Sequence, residues 1–254
     1  MPKNTVKLSF VIPAHNEEGT IKPCLESIFR EIAGKNYATE IIVVNNASTD
    51  RTGEVARSVP GVIVVDEPEK GLVKARAAGF KKSTGDLIAN VDADTMLPSG
   101  WVDKVFREFS ACSRLVCLSG PYIYYDLSWF TRILVKIFYT IGLFFSGMNR
   151  LAFGSGAMVQ GGNFVCRRWA LEKIGGFDTS IEFYGEDTDI ARRLSKIGDV
   201  KWTFKFPMYT SGRRLRKEGV LKTGGHYALN FFWVTIFKRP FTITSTDVRL
   251  KKTK

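Results

Sequence analysis

Asp92 and Asp94 lie in the stretch LIANVDADT, two apart at the end of an apolar run that reads as a β-strand, so both side chains are expected on one face. Two carboxylates aimed together repel unless a cation or hydrogen-bond donors sit between them. A divalent ion meets that need, because Mg²⁺ or Mn²⁺ takes one or two carboxylates and fills its other positions with water and phosphate oxygens. Such an ion would neutralise a diphosphate leaving group. The D-x-D pattern is weak by itself: about one match arises by chance in a chain of this size. Asp187-Thr188-Asp189 matches it too, so position must give Asp92 and Asp94 their weight.

A second acidic group lies in FYGEDTDIARRL, where Ile190, Leu194 and Ile197 keep helical spacing and put Glu186, Asp187 and Asp189 in or just before the first turn. Acids there complement the helix dipole and need no further purpose. The functional alternative is a general base that takes a proton from an acceptor hydroxyl, worth about 10²- to 10⁴-fold in rate. A third group, TSGRRLRKEG, gathers Arg213, Arg214 and Arg216 beside glycines. Guanidinium forks match phosphate oxygens, although a solvated basic loop has the same composition. His15 and His226 are too isolated to suggest a catalytic pair.

The first half of the chain, which must position these groups, alternates β-branched runs with amphipathic stretches, the pattern of a βαβ series with a parallel sheet. Strands are expected over 8–13, 40–46, 61–67, 86–94 and 115–125, and helices over 20–32, 51–58, 72–82 and 99–110, with Asp50 as an N-cap. Ligands of an open α/β sheet bind beyond the carboxyl ends of its strands. Those ends are Pro13-Ala14-His15-Asn16-Glu17, Asn45-Asn46-Ala47-Ser48 and Asp92-Ala93-Asp94, all polar.

The 254 residues, 44% hydrophobic and 24% charged, give one substantial globular core. A formal charge of +12 suits nucleic acid, an anionic membrane face or a phosphate-rich substrate, and does not choose among them. Cys24, Cys112, Cys117 and Cys166 form no metal-binding spacing and read as reduced thiols of a cytosolic protein, and the residues before the first strand do not read as a secretion signal, so none is expected. The run 129–145, WFTRILVKIFYTIGLFF, carries Arg132 and Lys136 and is short for a bilayer span, so an interfacial helix is expected, with a core helix as the alternative. A second apolar run covers 226–240, and the tail 241–254 is basic.

Taken in order, VIPAHNEE, VVNNASTD, KGLVKARAAG, IANVDADT, GGNFVCRRWALEKIGGFD and YGEDTDIARRL resemble the successive motifs of family 2 inverting glycosyltransferases with the GT-A fold. The resemblance runs from about residue 8 to 214. It implies a mostly parallel central sheet flanked by helices, with C-terminal amphipathic helices. The domain would span 1–240, with 1–112 the nucleotide-binding half and 113–240 the acceptor half. By the same resemblance Pro13, His15 and Glu17 match the loop that wraps the donor base and ribose. Asn45 and Asn46 match the strand end that reads the base, and Arg76 the stretch that meets it from the other side. Asp92, Ala93 and Asp94 match the D-x-D that holds the metal and the donor. Gly161, Gly162 and Asn163 match the acceptor side, Asp187 with Glu186 beside it the catalytic base, and Arg213 and Arg214 the arginines that cover the diphosphate.

The implied reaction is a single displacement with inversion: the base deprotonates an acceptor hydroxyl, which attacks the anomeric carbon opposite the nucleoside diphosphate. The Q-x-x-R-W pattern of processive synthases does not occur in the sequence, so one transfer is expected, to a saccharide or polyprenyl-linked acceptor. Asparagines stand where the family often has aspartate, and an amide oxygen accepts from uracil N3–H, which favours a UDP-sugar. Rival readings are a sugar-nucleotide nucleotidyltransferase, which would carry a basic glycine-rich loop where AHNEE stands, and a non-enzymatic basic module for RNA or anionic membrane. No nucleic-acid partner is expected on the main reading. The expected location is cytoplasmic, peripheral on the inner membrane face.

Overall fold

Alternation along the first strand sets the layers. In β1 (Lys7–Ala14), Leu8, Phe10, Ile12 and Ala14 pack into one hydrophobic cluster while Val11 enters another, so both faces are covered as in a central parallel strand. The structure is a computed structural model that describes residues 6–153, 158–181, 185–219, 222–226, 229 and 233. Phe183 and Tyr184, most of the 226–240 run and the 241–254 tail lie outside the described residues.

Strand β1 is paired in parallel with β2 (Ala38–Asn46) and β4 (Leu87–Val91), and β3 (Val62–Glu67) pairs in parallel with β2. Beyond β4 the sheet becomes mixed. Strand β8 (Asn163–Arg167) runs antiparallel between β4 and β6 (Leu115–Ser119), and β9 (Asp199–Trp202) closes the edge, giving the order β3-β2-β1-β4-β8-β6-β9. One sheet thus runs through both expected halves.

Helices α1 (Ile21–Ile32) and α4 (Trp101–Ala111) cover one face with Ile21, Cys24, Leu25 and Ile28 and with Trp101, Val102, Val105 and Phe109, at the three- and four-residue spacing of an apolar stripe. The other face takes α3 (Leu72–Lys82), α6 (Arg168–Lys173) and α7 (Glu186–Leu194). Gly79 lets α3 lie close on β1, since a Cβ there would stand 2.3 Å from Val11 Cγ1.

Three departures from the sequence reading bear on the site. The strand expected over 86–94 ends at Val91, and Asp92–Asp94 form a turn leading into β5 (Thr95–Met96), so strand alternation does not place the two carboxylates. The strand expected over 115–125 breaks at Gly120-Pro121, where a Cβ on Gly120 would lie 1.9 Å from the Phe206 carbonyl oxygen. Its second part, β7 (Tyr122–Tyr124), joins β5 and β10 (Met208–Thr210) in a small sheet of order β5-β10-β7. Finally, helix α5 (Trp129–Phe153) runs 25 residues, past the apolar stretch read from sequence, and Trp129–Gly147 is long and apolar enough to cross a membrane. Length therefore does not separate a helix lying on a bilayer from one crossing it.

Helix α2 (Thr52–Arg57) begins one residue later than expected. Asp50 still satisfies its first turn, accepting the Thr52 N–H at 2.9 Å. Next to it, Ala47 holds φ 51°, a left-handed conformation that costs an L-residue roughly 1–2 kcal/mol. Part of the relief on substitution by glycine is lost to the freer unfolded chain. Ala47→Gly is expected to stabilise by about 0.5–1 kcal/mol, a rise in Tm of about 1–4 °C by calorimetry.

Candidate active site

The small sheet converges on the D-x-D turn. β5 follows Asp94 directly, β7 delivers Tyr122, and β10 ends three residues before Arg213. Asp92 is held on every side: Oδ1 accepts from Arg76 Nη2 at 3.1 Å, Oδ2 from the Tyr122 hydroxyl at 2.9 Å, and its carbonyl from Thr95 N and Oγ1 at 3.1 and 2.7 Å. Asp94 faces Arg213, with Nη2 3.0 Å from Oδ2. Burial pushes the Asp94 carboxyl up to about 7; the Arg213 charge opposes this, and the Glu17 and Asp92 charges add to it. Ala93 is buried and belongs to the core under the turn.

Arg76 links the two acidic groups found in the sequence. Its side chain is 1% exposed, lies over the Phe164 ring at 5.6 Å, and reaches Asp92 with one nitrogen and Glu186 Oε1 with the other. Burial pushes Glu186 up to about 7 against the pull of Arg76. The guanidinium is itself held above its ordinary range, burial opposing and the Glu186 and Asp92 charges prevailing. Glu186 Oε2 is buried without a partner. Asp187, beside it on α7, has Oδ1 on the Thr188 N–H at 2.8 Å and forms no ion pair among the described residues; burial raises its carboxyl too. Asp189 bonds Arg192 and Arg193 at 2.7 and 2.6 Å, so the third acid of the motif braces its own helix.

Gly161 and Gly162 press against this bridge. A Cβ on Gly162 would lie 2.1 Å from Asp92 Oδ2 and 2.2 Å from the Tyr122 hydroxyl, and one on Gly161 would lie 2.9 Å from Glu186 Oε1. Asn163 is fully buried; it accepts from Trp101 Nε1 at 3.1 Å and donates to the Gly120 and Phe206 carbonyls at 3.1 and 2.8 Å. Its side chain braces the scaffold behind the two glycines.

Of the residues expected at the base and ribose, Pro13 is buried in β1 and His15 Nδ1 lies 2.7 Å from the Asn46 carbonyl oxygen, joining the first two strand ends. Asn46 donates to the Glu67 and Glu69 carbonyls at 3.2 and 2.7 Å and accepts from Gly71 N at 2.8 Å, which pins the loop before α3. Asn45 donates to Asp66 at 2.8 Å, while its Oδ1 is buried without a partner. Glu17 accepts both Arg213 Nη1, at 2.9 Å, and Nη2. Arg213, at the start of α8 (Arg213–Glu218), thus spans from the first strand end to the third, whereas Arg214 bonds Glu218 along its own helix at 3.2 Å.

Tyr122 and Tyr139 carry no sequence signal, since each reads as one aromatic of an apolar run. Tyr139 Oη accepts from Tyr122 N at 3.2 Å and donates to Gln160 at 2.8 Å. Burial pushes its hydroxyl up to about 12, and the Asp187 charge adds to the shift. Tyr122 on Asp92 and Tyr139 on the Tyr122 backbone thus form a tyrosine wall on the Asp92 side of the site.

Sheet order and placement of the acids define the class: this is the GT-A fold, with its polar groups beyond the strand ends. The mannosyltransferase PcManGT from Pyrobaculum calidifontis, solved with GDP-Man and Mn²⁺, superposes with a TM-score of 0.64 at 18% identity, over 87% of this chain and 64% of that one. Glucosyl-3-phosphoglycerate synthase from Mycobacterium tuberculosis, solved with Mn²⁺, UDP-glucose and phosphoglyceric acid, gives 0.59 at 18% identity, over 92% and 79%. Residues 9–175 match the model of glycosyl transferase family 2, and the chain belongs to that family. It is 28% identical over 207 residues to the probable glycosyltransferase YdaM of Bacillus subtilis, covering 77% of this chain and 48% of that protein. It is 35% identical over 106 residues to a dolichol-phosphate mannosyltransferase of Pyrococcus furiosus, covering 40% and 30%. The chain spans about half the length of the first relative and less of the second.

Proposed function

We propose that this chain is an inverting, metal-dependent glycosyltransferase that moves a hexose from a nucleoside-diphosphate sugar to an acceptor hydroxyl. The observation that carries the reading is the Asp92–Arg76–Glu186 bridge, which holds the D-x-D turn and the acidic helix start in fixed relation. Donor phosphates belong at Asp94 and Arg213. The acceptor belongs on the side of Gly161, Gly162 and Asp187, and the departing diphosphate on the other.

Asp94 and Asp92 fit Mn²⁺ or Mg²⁺ in donor chemistry: both offer hard carboxylate oxygens, and at Asp94 an ion would add to the one cation, Arg213, that already faces it. Among the described residues no three His, Cys, Asp or Glu side chains cluster as a metal cage, in keeping with an ion that takes one or two carboxylates and donor oxygens. When bound, the ion would neutralise charge on the leaving diphosphate. Arg213 adds a second cation there, and Asp187 takes the acceptor proton. Uridine is the favoured base because the buried Asn45 Oδ1 is an acceptor without a partner; Asn46, by contrast, uses its amide on the loop before α3. The acceptor is a saccharide or polyprenyl-linked molecule, reached from the cytoplasmic side of a membrane on which α5 rests.

The sign of the Asp94 shift gives a test. A carboxyl raised from 3.8 to about 7 keeps its proton in the folded chain over a pH range where the unfolded chain has lost it. Its contribution to stability therefore falls as pH rises from about 4 to about 7. A cation binding there below pH 7 must displace that proton, so Mn²⁺ affinity is expected to rise about tenfold per pH unit up to about 7 and then level. Thermal shifts with Mn²⁺ and a panel of UDP- and GDP-sugars from pH 5 to 8 measure this. A pH-independent shift removes Asp94 as the ligand, and no shift with any nucleotide and any divalent ion overturns the reading.

A further inference from the structure

Three charged side chains meet beyond the first and third strand ends, and two of them are fixed. Glu17 donates its backbone N–H to Thr52 Oγ1 at 2.7 Å, and its carbonyl accepts from Thr20 N and Ile21 N at the start of α1 at 3.0 and 2.9 Å. Thr20 Oγ1 also donates to its carboxylate at 2.7 Å. Asp94 belongs to the turn that Thr95 ties back to Asp92. Arg213 lies across both: Nη1 and Nη2 fork onto Glu17, and Nη2 is also 3.0 Å from Asp94 Oδ2.

The Arg213 side chain is 26% exposed, against 5% for Glu17 and 16% for Asp94, and it stems from the short helix α8. One clasp sets where that helix begins. Asp126, in the loop before α5, accepts from Gly212 N and Ser211 Oγ at 2.6 and 2.8 Å and pairs with Arg216 Nη2 at 2.9 Å. A Cβ on Gly212 would collide with Leu127, so the two loops lie in close contact. Asp126 therefore aims Arg213 through the backbone.

A guanidinium and a divalent ion at one carboxylate oppose each other, the more so where water is scarce. A diphosphate alters the balance, because it offers the guanidinium the same two-oxygen acceptor that Glu17 provides, with more charge. An arginine drawn to the phosphates releases Asp94 and leaves phosphate oxygens beside it, which together suit a hard cation.

We propose that Arg213, clamped by Glu17 and aimed by Asp126, guards Asp94: it keeps a divalent ion off that carboxylate until a nucleoside diphosphate draws the guanidinium away, so that donor and ion enter as a pair. The assignment rests on the glycosyltransferase reading and adds a lock to its donor site, with Glu17 as the resting place of the arginine.

Two probes are added separately to the full chain: Mn²⁺ alone, followed by the electron paramagnetic resonance signal of the free ion, and UDP alone with a chelator, followed by calorimetry. Arg213→Met is expected to bind Mn²⁺ about tenfold more tightly than the wild type and UDP about tenfold more weakly, the lower end of couplings between close charge pairs. Opposite signs mark a guard, since a site merely damaged by the substitution loses both ligands. Asp126→Ala supplies a second variant. Taking a negative charge from the neighbourhood would by itself weaken a cation, so Mn²⁺ binding tightened about threefold reports an arginine that has come loose. Circular dichroism shows that each variant folds, and Asp126→Ala decides alone if Arg213→Met does not. If no UDP- or GDP-sugar with Mn²⁺ shifts the melting of the wild type, the glycosyltransferase reading fails. If one does, while Mn²⁺ alone binds Arg213→Met no more tightly than the wild type, the guard fails. UDP bound equally by Arg213→Met and wild type also overturns it, because the guanidinium then does not pass to the phosphates. Unchanged Mn²⁺ binding in a folded Asp126→Ala removes the clasp from the device.

Discussion

Asp187→Asn is expected to lower transfer by about 10²- to 10⁴-fold, the usual worth of a general base, while nucleotide-sugar binding stays within about twofold. The argument is one of exclusion around α7. Asp189 is occupied by two arginines, and Glu186 gives Oε1 to Arg76 and buries Oε2. Asp187 has no ion pair among the described residues, and burial raises its carboxyl above the ordinary aspartate value, which makes it a stronger base than a solvated aspartate. Asparagine keeps the acceptor oxygen for Thr188 and removes only the ability to take a proton. The rate is therefore expected to fall in kcat, not in the donor KM. An acceptor whose attacking atom is already an oxyanion would not need the base, and a loss under about tenfold removes Asp187 from this role.

Much of this site was legible because its acids stand at strand and helix ends that simple patterning locates. The expected strand at 40–46 and helix at 72–82 agree with β2 and α3 to within two residues, and the helix carrying Glu186 and Asp187 starts where its spacing put it. Physical reasons for the misses differ. Asp92 and Asp94 read as strand residues because the apolar run gives no sign of where pairing stops; the turn is made by Thr95 bonding back to Asp92. Tyr122 was hidden in a continuous β-forming run, broken by a close approach of Gly120 to Phe206, eighty-odd positions along the chain. Arg76 was found through its motif and expected at the base, yet its contacts run to Asp92 and Glu186, the latter 110 residues away. Long-range pairings of this kind leave no local spacing to read. Asn45 and Asn46 show the same limit: the sequence gives two amides at a strand end, and only the loop that folds over them shows that one is used structurally.

Arg76→Met should destabilise the chain by about 3–5 kcal/mol at pH 8, the cost of leaving a buried charge without its partner. Methionine keeps the length and apolar contact with Phe164 but leaves Glu186 and Asp92 facing each other with no cation between them. Glu186, at about 7 with the guanidinium present, rises further without it. A carboxyl raised in the folded state binds a proton that the unfolded chain has released, so the folded state loses stability as pH rises from about 4.5 through the raised value. The variant's deficit is therefore largest in alkali and shrinks toward pH 5, where Glu186 is protonated and neutral. Urea titrations at pH 5 and pH 8 measure the difference. Arg76→Lys supplies one point charge where two carboxylates need a fork, and an intermediate loss follows. The double variant Arg76→Met with Glu186→Gln removes the orphaned charge and should recover at least half of the pH 8 deficit. Recovery of stability without recovery of transfer would mean that the bridge serves geometry at the D-x-D turn as well as charge balance. A deficit equal at both pH values would instead put the cost in packing and remove the ion pair as the link between the two halves of the site.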